Sequence, residues 1–152
     1  YGGDAHDIGH PVGPLGEDSF LLTGYSRGFG ASGPNDVWMV RIDGRGEPLG
    51  QSLRGGAGAD HNIQVRPAGG GDLALVGYTT SRGFGDWDAE VLVVSPDLEE
   101  RWSAMYGGPG ADGAVAVFAA PPGDLVIAGY TETQGGAGRD ILVYRLARYN
   151  PS

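Results

Sequence analysis

The chain contains no cysteine, so neither disulfides nor thiolate metal ligands are open to it, and the absence leaves its redox compartment unread. Basic residues are few: 10 against 19 acidic ones give a net charge of −9, which repels phosphate backbones and anionic lipid surfaces. Nucleic acid is therefore not expected as a partner. No apolar run approaches the roughly 20 residues needed to cross a bilayer, and the N-terminus has neither a charged n-region nor a hydrophobic h-region. Membrane insertion is not expected either. The chain does not begin with Met, which fits a processed product that has lost a signal peptide, or a fragment.

What is present is glycine, 30 of 152 residues, with 10 prolines. Such a content could mean low complexity, but 40% of the chain is hydrophobic and the apolar runs recur regularly, so the glycines read as turn residues. The recurrence is itself the main signal. Tyr1-Gly2-Gly3 returns as Arg54-Gly55-Gly56 and Tyr106-Gly107-Gly108, each opening a unit of about fifty residues. Asp7, Asp60 and Asp112 follow six residues on, then Val12, Val65 and Val117, and later Gly24-Tyr25-Ser26, Gly77-Tyr78-Thr79 and Gly129-Tyr130-Thr131. Residues 1–152 are thus read as one repeat domain with units at about 4–53, 54–105 and 106–148.

Turn signals divide the first unit into four expected strands, Ile8 to Leu15, Ser19 to Tyr25, Asp36 to Ile42 and Pro48 to Leu53. The second unit repeats them at Asn62 to Pro67, Asp72 to Tyr78, Glu90 to Ser95 and Leu98 to Met105. The third supplies three, Ala114 to Ala119, Asp124 to Tyr130 and Asp140 to Leu146. Segments such as Leu73-Ala74-Leu75-Val76 and Leu125-Val126-Ile127-Ala128 are apolar on both faces, so both faces must be covered. The connections are too short for crossover helices. Stacking one four-stranded sheet on the next around an axis, as propeller blades do, covers both faces. The fold class expected is all-β, a β-propeller with three antiparallel blades, the last incomplete.

The pattern resembles the secreted bacterial and archaeal β-propeller repeats, whose units run Tyr-Gly-Gly, Asp, a Gly/Asp turn, Gly-Tyr-Thr, a Gly-rich loop, then Asp and an apolar strand, on a plan similar to a WD-type blade. The second unit departs from it at Arg54 for Tyr and at Glu90 for the Asp of the third strand, and the first carries Pro11 inside its first strand. The resemblance implies an extracytoplasmic location (periplasmic, cell-surface or secreted) and a binding or structural role.

Propellers have about four to eight blades, so three leave two apolar faces bare. Closure is expected from a second copy, giving a six-bladed ring, from flanking units of a longer chain, or from a different protein.

Candidate chemistry is thin. Asp7, Asp60 and Asp112 could hold Ca²⁺ as an acidic ring, but they lack the density of a calcium loop, and a structural role accepting backbone N–H bonds is favoured. His6 and His61 stand beside Asp7 and Asp60, a pairing that could serve a base or zinc, yet the third unit breaks it with Ala111 and no catalytic motif accompanies it. No catalytic, cofactor or metal residue is assigned. Arg27 and Phe29, echoed by Arg82 and Phe84 and followed by Asp86 and Trp87, lie in loops where aromatic rings beside Arg suit a protein partner or a glycan. Trp87 is the residue expected to be most exposed, while Trp38 and Trp102 are expected to pack between blades. The function expected is a non-catalytic scaffold presenting a loop face for protein–protein interaction. A carbohydrate-binding propeller is the alternative, and a channel-sited hydrolase or lyase comes third.

Overall fold

The computed structural model describes residues 1–121 and 123–147. Among them are eleven strands and no helix. β1 (Asp7–Pro14), β2 (Ser19–Ser26), β3 (Asp36–Asp43) and β4 (Pro48–Arg54) form one antiparallel sheet in sequence order. β5 (Asp60–Gly69), β6 (Asp72–Thr79), β7 (Asp88–Val94) and β8 (Glu100–Tyr106) form the second, and β9 (Asp112–Ala120), β10 (Asp124–Thr131) and β11 (Asp140–Leu146) the third. The division into three antiparallel units with these strands agrees with the sequence reading. One alignment is corrected. Ser26, Thr79 and Thr131 stand opposite Asp36, Asp88 and Asp140, so the second unit keeps its third-strand Asp at Asp88. Glu90 stands opposite Gly77, where Trp38 stands opposite Gly24.

Alternation along the middle strands explains their double apolar character. Leu73 and Leu75 of β6, with Leu92 and Val94 of β7, meet Leu21, Val37 and Met39 of the first sheet around Val65. Ala74, Val76, Ala89, Val91 and Val93 point the other way and meet Ala114, Val117, Leu125, Ile127 and Leu142 of the third sheet. Trp102 joins this second cluster as expected. Within the chain Trp38 packs against no second sheet: its neighbours Val37 and Met39 face the second sheet, and alternation turns Trp38 to the outer face of the first, where Phe29 stacks on it with centroids 5.2 Å apart.

The sheets meet chiefly through their opening strands, β5 lying against β1, β2 and β3, and β9 against β5, β6 and β7. Polar bonds fasten these contacts, among them Thr23 Oγ1 donating to Asn62 Oδ1 at 2.7 Å and the Val117 N–H donating to Gln64 Oε1 at 2.8 Å. Each sheet carries a register shift between its first two strands beside the glycine of the Gly-Tyr motif. At Gly24, Gly77 and Gly129 a β-carbon would collide with the carbonyl oxygen of Ile8, His61 or Gly113, so only glycine admits the shifted strand.

Candidate functional site

The recurring aspartates organise one end of each sheet. Asp60 opens β5, buried, and accepts from the Thr79 hydroxyl, from Ser81 Oγ at 2.6 Å and from the Gly56 N–H at 3.0 Å. Asp112 accepts from Thr133 Oγ1 at 2.7 Å and the Gly108 N–H at 2.9 Å. Asp7 accepts from the Ser26 hydroxyl and the Gly3 N–H, which hold its carboxyl below the ordinary 3.8. The three are the first residues of β1, β5 and β9, and each accepts a backbone N–H of the loop before its strand, as the structural role expects. Among the described residues, no group of three or more His, Asp or Glu side chains is arranged to hold a metal ion.

A second aspartate series fixes the Gly-rich loops. Asp36 Oδ2 accepts from the Ser32 N–H at 2.7 Å, Asp88 Oδ2 from the Phe84 N–H at 2.8 Å, and Asp140 Oδ2 from the Gly136 N–H at 3.1 Å. Each clamps an amide four residues earlier and closes the loop base.

The candidate binding residues sit on these loops but do not form one cluster. Arg27 Nε donates to Asn35 Oδ1 at 3.0 Å within its own loop. Arg82, itself exposed, pairs with the buried Glu90 at 2.7 Å. Phe29 is 45% exposed and stacks on Trp38, whereas Phe84 is 64% exposed and Asp86 is exposed beside it. Trp87 is half-buried, a correction to its expected exposure: it immediately precedes β7, so its ring lies over the strand ends, edge-on to Tyr78 at 4.9 Å and His61 at 5.6 Å. Phe84 is the outward aromatic of that loop.

Trp87 belongs to a row of rings that the motif reading passed over. Tyr25 lies 4.4 Å from His61, His61 stacks 5.2 Å from Tyr78, and His10 sits edge-on to Tyr25 at 5.5 Å. The row runs from the first sheet to the second. In the third unit Arg139 lies 4.3 Å over the Tyr130 ring. Asn35, Trp87 and Arg139 all immediately precede the third-strand Asp, and in the second and third units this position sits beside the recurring tyrosine. The signal was available in Tyr25, Tyr78 and Tyr130, which served only as repeat markers. His61 has Asn35 Nδ2 at 3.3 Å from Nε2, while Nδ1 is buried without a partner. Burial depresses its pKa below the ordinary 6.5, with His10 adding to the effect and Asp60 opposing it.

The sheet faces differ sharply by position in the chain. Val65 and Val117 are 0% and 4% exposed, but the equivalent Val12 is 52% exposed. Ala89 and Val91 are buried in the second sheet, whereas their counterparts Ile141 and Val143 are 86% and 61% exposed in the third. The outer faces of the first and third sheets thus carry the same apolar positions that are covered inside.

No protein-family model matches the chain, and no curated protein matches it.

Proposed function

We propose that the three sheets are successive blades of a β-propeller and that the chain is a non-catalytic scaffold, extracytoplasmic in setting, which presents its clamped loop end to another protein. The observation that carries this reading is the loop end itself. Loops braced at the base by Asp36 and Asp88 hold Phe29, Phe84 and Asp86 outward on a rigid support, which suits recognition at low ordering cost. Contact through successive opening strands, with apolar residues on both faces of the middle sheet, supports the blade arrangement.

Carbohydrate binding is the second reading, favoured by the exposed Phe84 ring close in sequence to Trp87. A glycan array separates the two. Sugar binding lost in Phe84→Ala would overturn the scaffold reading. No sugar binding, together with capture of a defined protein from the native cell envelope that is lost in the same variant, supports it. A crystal structure in which the sheets do not fan about an axis would sink the blade arrangement.

A further inference from the structure

The two bare faces are complementary in a way the chain has already demonstrated twice. Inside the molecule, the side of one sheet that bears Val37 and Met39, or Ala89 and Val91, always meets the side of the next that bears Val65 and Leu73, or Val117 and Leu125. The third sheet ends on the first kind of side, with Ile141 and Val143 exposed, and the first sheet begins on the second kind, with Val12 and Phe20 exposed. We propose that a second copy of this chain covers both faces at once, the first sheet of each copy packing on the third sheet of the other around a two-fold axis. This rests on the blade reading, and it makes each open face continuous with an interface already present in the fold.

The repeat fixes which residues meet. Gly13 lies against Val65, since a β-carbon on Gly13 would be 3.0 Å from Val65 Cγ1. Gly13 and Val65 follow the repeat as Phe118 and Val12, so Phe118, 67% exposed, faces Val12 of the second copy. At the rim, Arg54 stands opposite Val37 and Tyr106 opposite Ala89, which brings Tyr1 of the second copy opposite Ile141 beside the open edge of β11 once its hydroxyl leaves the Gly46 carbonyl of its own chain, to which it donates here. Not every internal contact is repeated: the Thr23–Asn62 bond falls to Ala128 and Gly9, and the Gln64 acceptor falls to Ala116. Arg41 bridges to Asp97, but the same positions become Arg145 and Arg45, and Arg145 instead binds Asp124 of its own sheet.

Light scattering on the full chain over a dilution series tests the proposal. The expected mass is twice the 15.7 kDa of one chain. Phe118→Lys and Val12→Asp each halve it, and so does Ile141→Arg, a substitution at an exposed position that keeps the test open if either of the first two fails to fold. An equimolar mixture of the Phe118→Lys and Val12→Asp chains returns to the double mass, because one junction then pairs Lys with Asp and the other is wild type. A wild-type mass of one chain, masses above two chains, or variants that leave the mass unchanged overturn it. If crystallography finds sheets fanned about an axis in a chain that stays single, this inference fails alone; if the sheets do not fan, the blade reading fails with it.

Discussion

Arg54, at the end of β4, reaches across to the second sheet and binds Glu90 on β7, with Glu100 at 2.9 Å as its second partner. The equivalent junction between the second and third sheets has no such pair: Tyr106 lies 4.5 Å from Tyr144, and Leu142 holds the position of Glu90. Glu90 is almost fully buried, with Arg82 as its other partner.

Removing Arg54 therefore leaves Glu90 half-paired inside the protein. Arg54→Ala is expected to lower unfolding stability by about 2–3 kcal/mol, less than a fully orphaned charge because Arg82 remains. Arg54→Tyr combined with Glu90→Leu installs the Tyr106 and Leu142 residues of the other junction, though Leu92 stands where Tyr144 would be, and is expected to recover to within about 1 kcal/mol of wild type. Urea denaturation of the single and double variants measures both.

The glycine beside each strand shift has no substitute. Gly77→Ala drives a methyl into the His61 carbonyl and is expected to cost about 3 kcal/mol. Gly50→Ala, with open space around it, should stay within about 0.5 kcal/mol. The difference in thermal midpoint between these two variants checks the assignment.

Asp60 satisfies two hydroxyls and an amide in a buried site, so Asp60→Ala is expected to cost about 2–4 kcal/mol. Asp7→Ala should cost clearly less, because its partners lie nearer the surface. Protease susceptibility of the loop before each strand gives a local readout of the same ranking.

His61 confers a pH dependence. Its depressed pKa means the unfolded chain takes up this proton at higher pH than the folded one, so stability is level above about pH 6.5 and falls as pH drops below that toward the folded value. His61→Phe keeps a ring between Tyr25 and Tyr78 and removes this component. Urea midpoints across the range for both proteins show whether the slope belongs to His61.

Phe84 and Trp87 should separate binding from stability. Phe84→Ala is expected to change stability by less than about 0.5 kcal/mol while abolishing partner capture. Trp87→Ala, which strips a ring from Tyr78 and His61, should cost about 2 kcal/mol. Calorimetry and a binding assay on each variant distinguish the two roles.

Strand number and order were legible because period, turn residues and doubly apolar middle strands such as Leu73-Ala74-Leu75-Val76 all point the same way. What misled was local. Asp86-Trp87-Asp88-Ala89-Glu90 offers three acids near one strand start, and only the pairing of Thr79 with Asp88 decides which one carries the repeat. Trp87 looked like a loop-tip residue because strand limits read from sequence ran two residues late, leaving its place over Tyr78 invisible. The ring row through His61 joins two sheets, and contacts between units leave no trace in the spacing within one.

The clamp formed by Asp36, Asp88 and Asp140 has an evolutionary consequence. Because each carboxylate grips the backbone of its loop four residues upstream, the grip is indifferent to which side chain that residue carries. Ser32, Phe84 and Gly136 occupy the gripped position in the three units, and the anchor is the same in all. Side chains at that position are thereby free to vary without loosening the loop base, whereas Gly83 and Gly135 just before it are held to glycine by the same carboxylates.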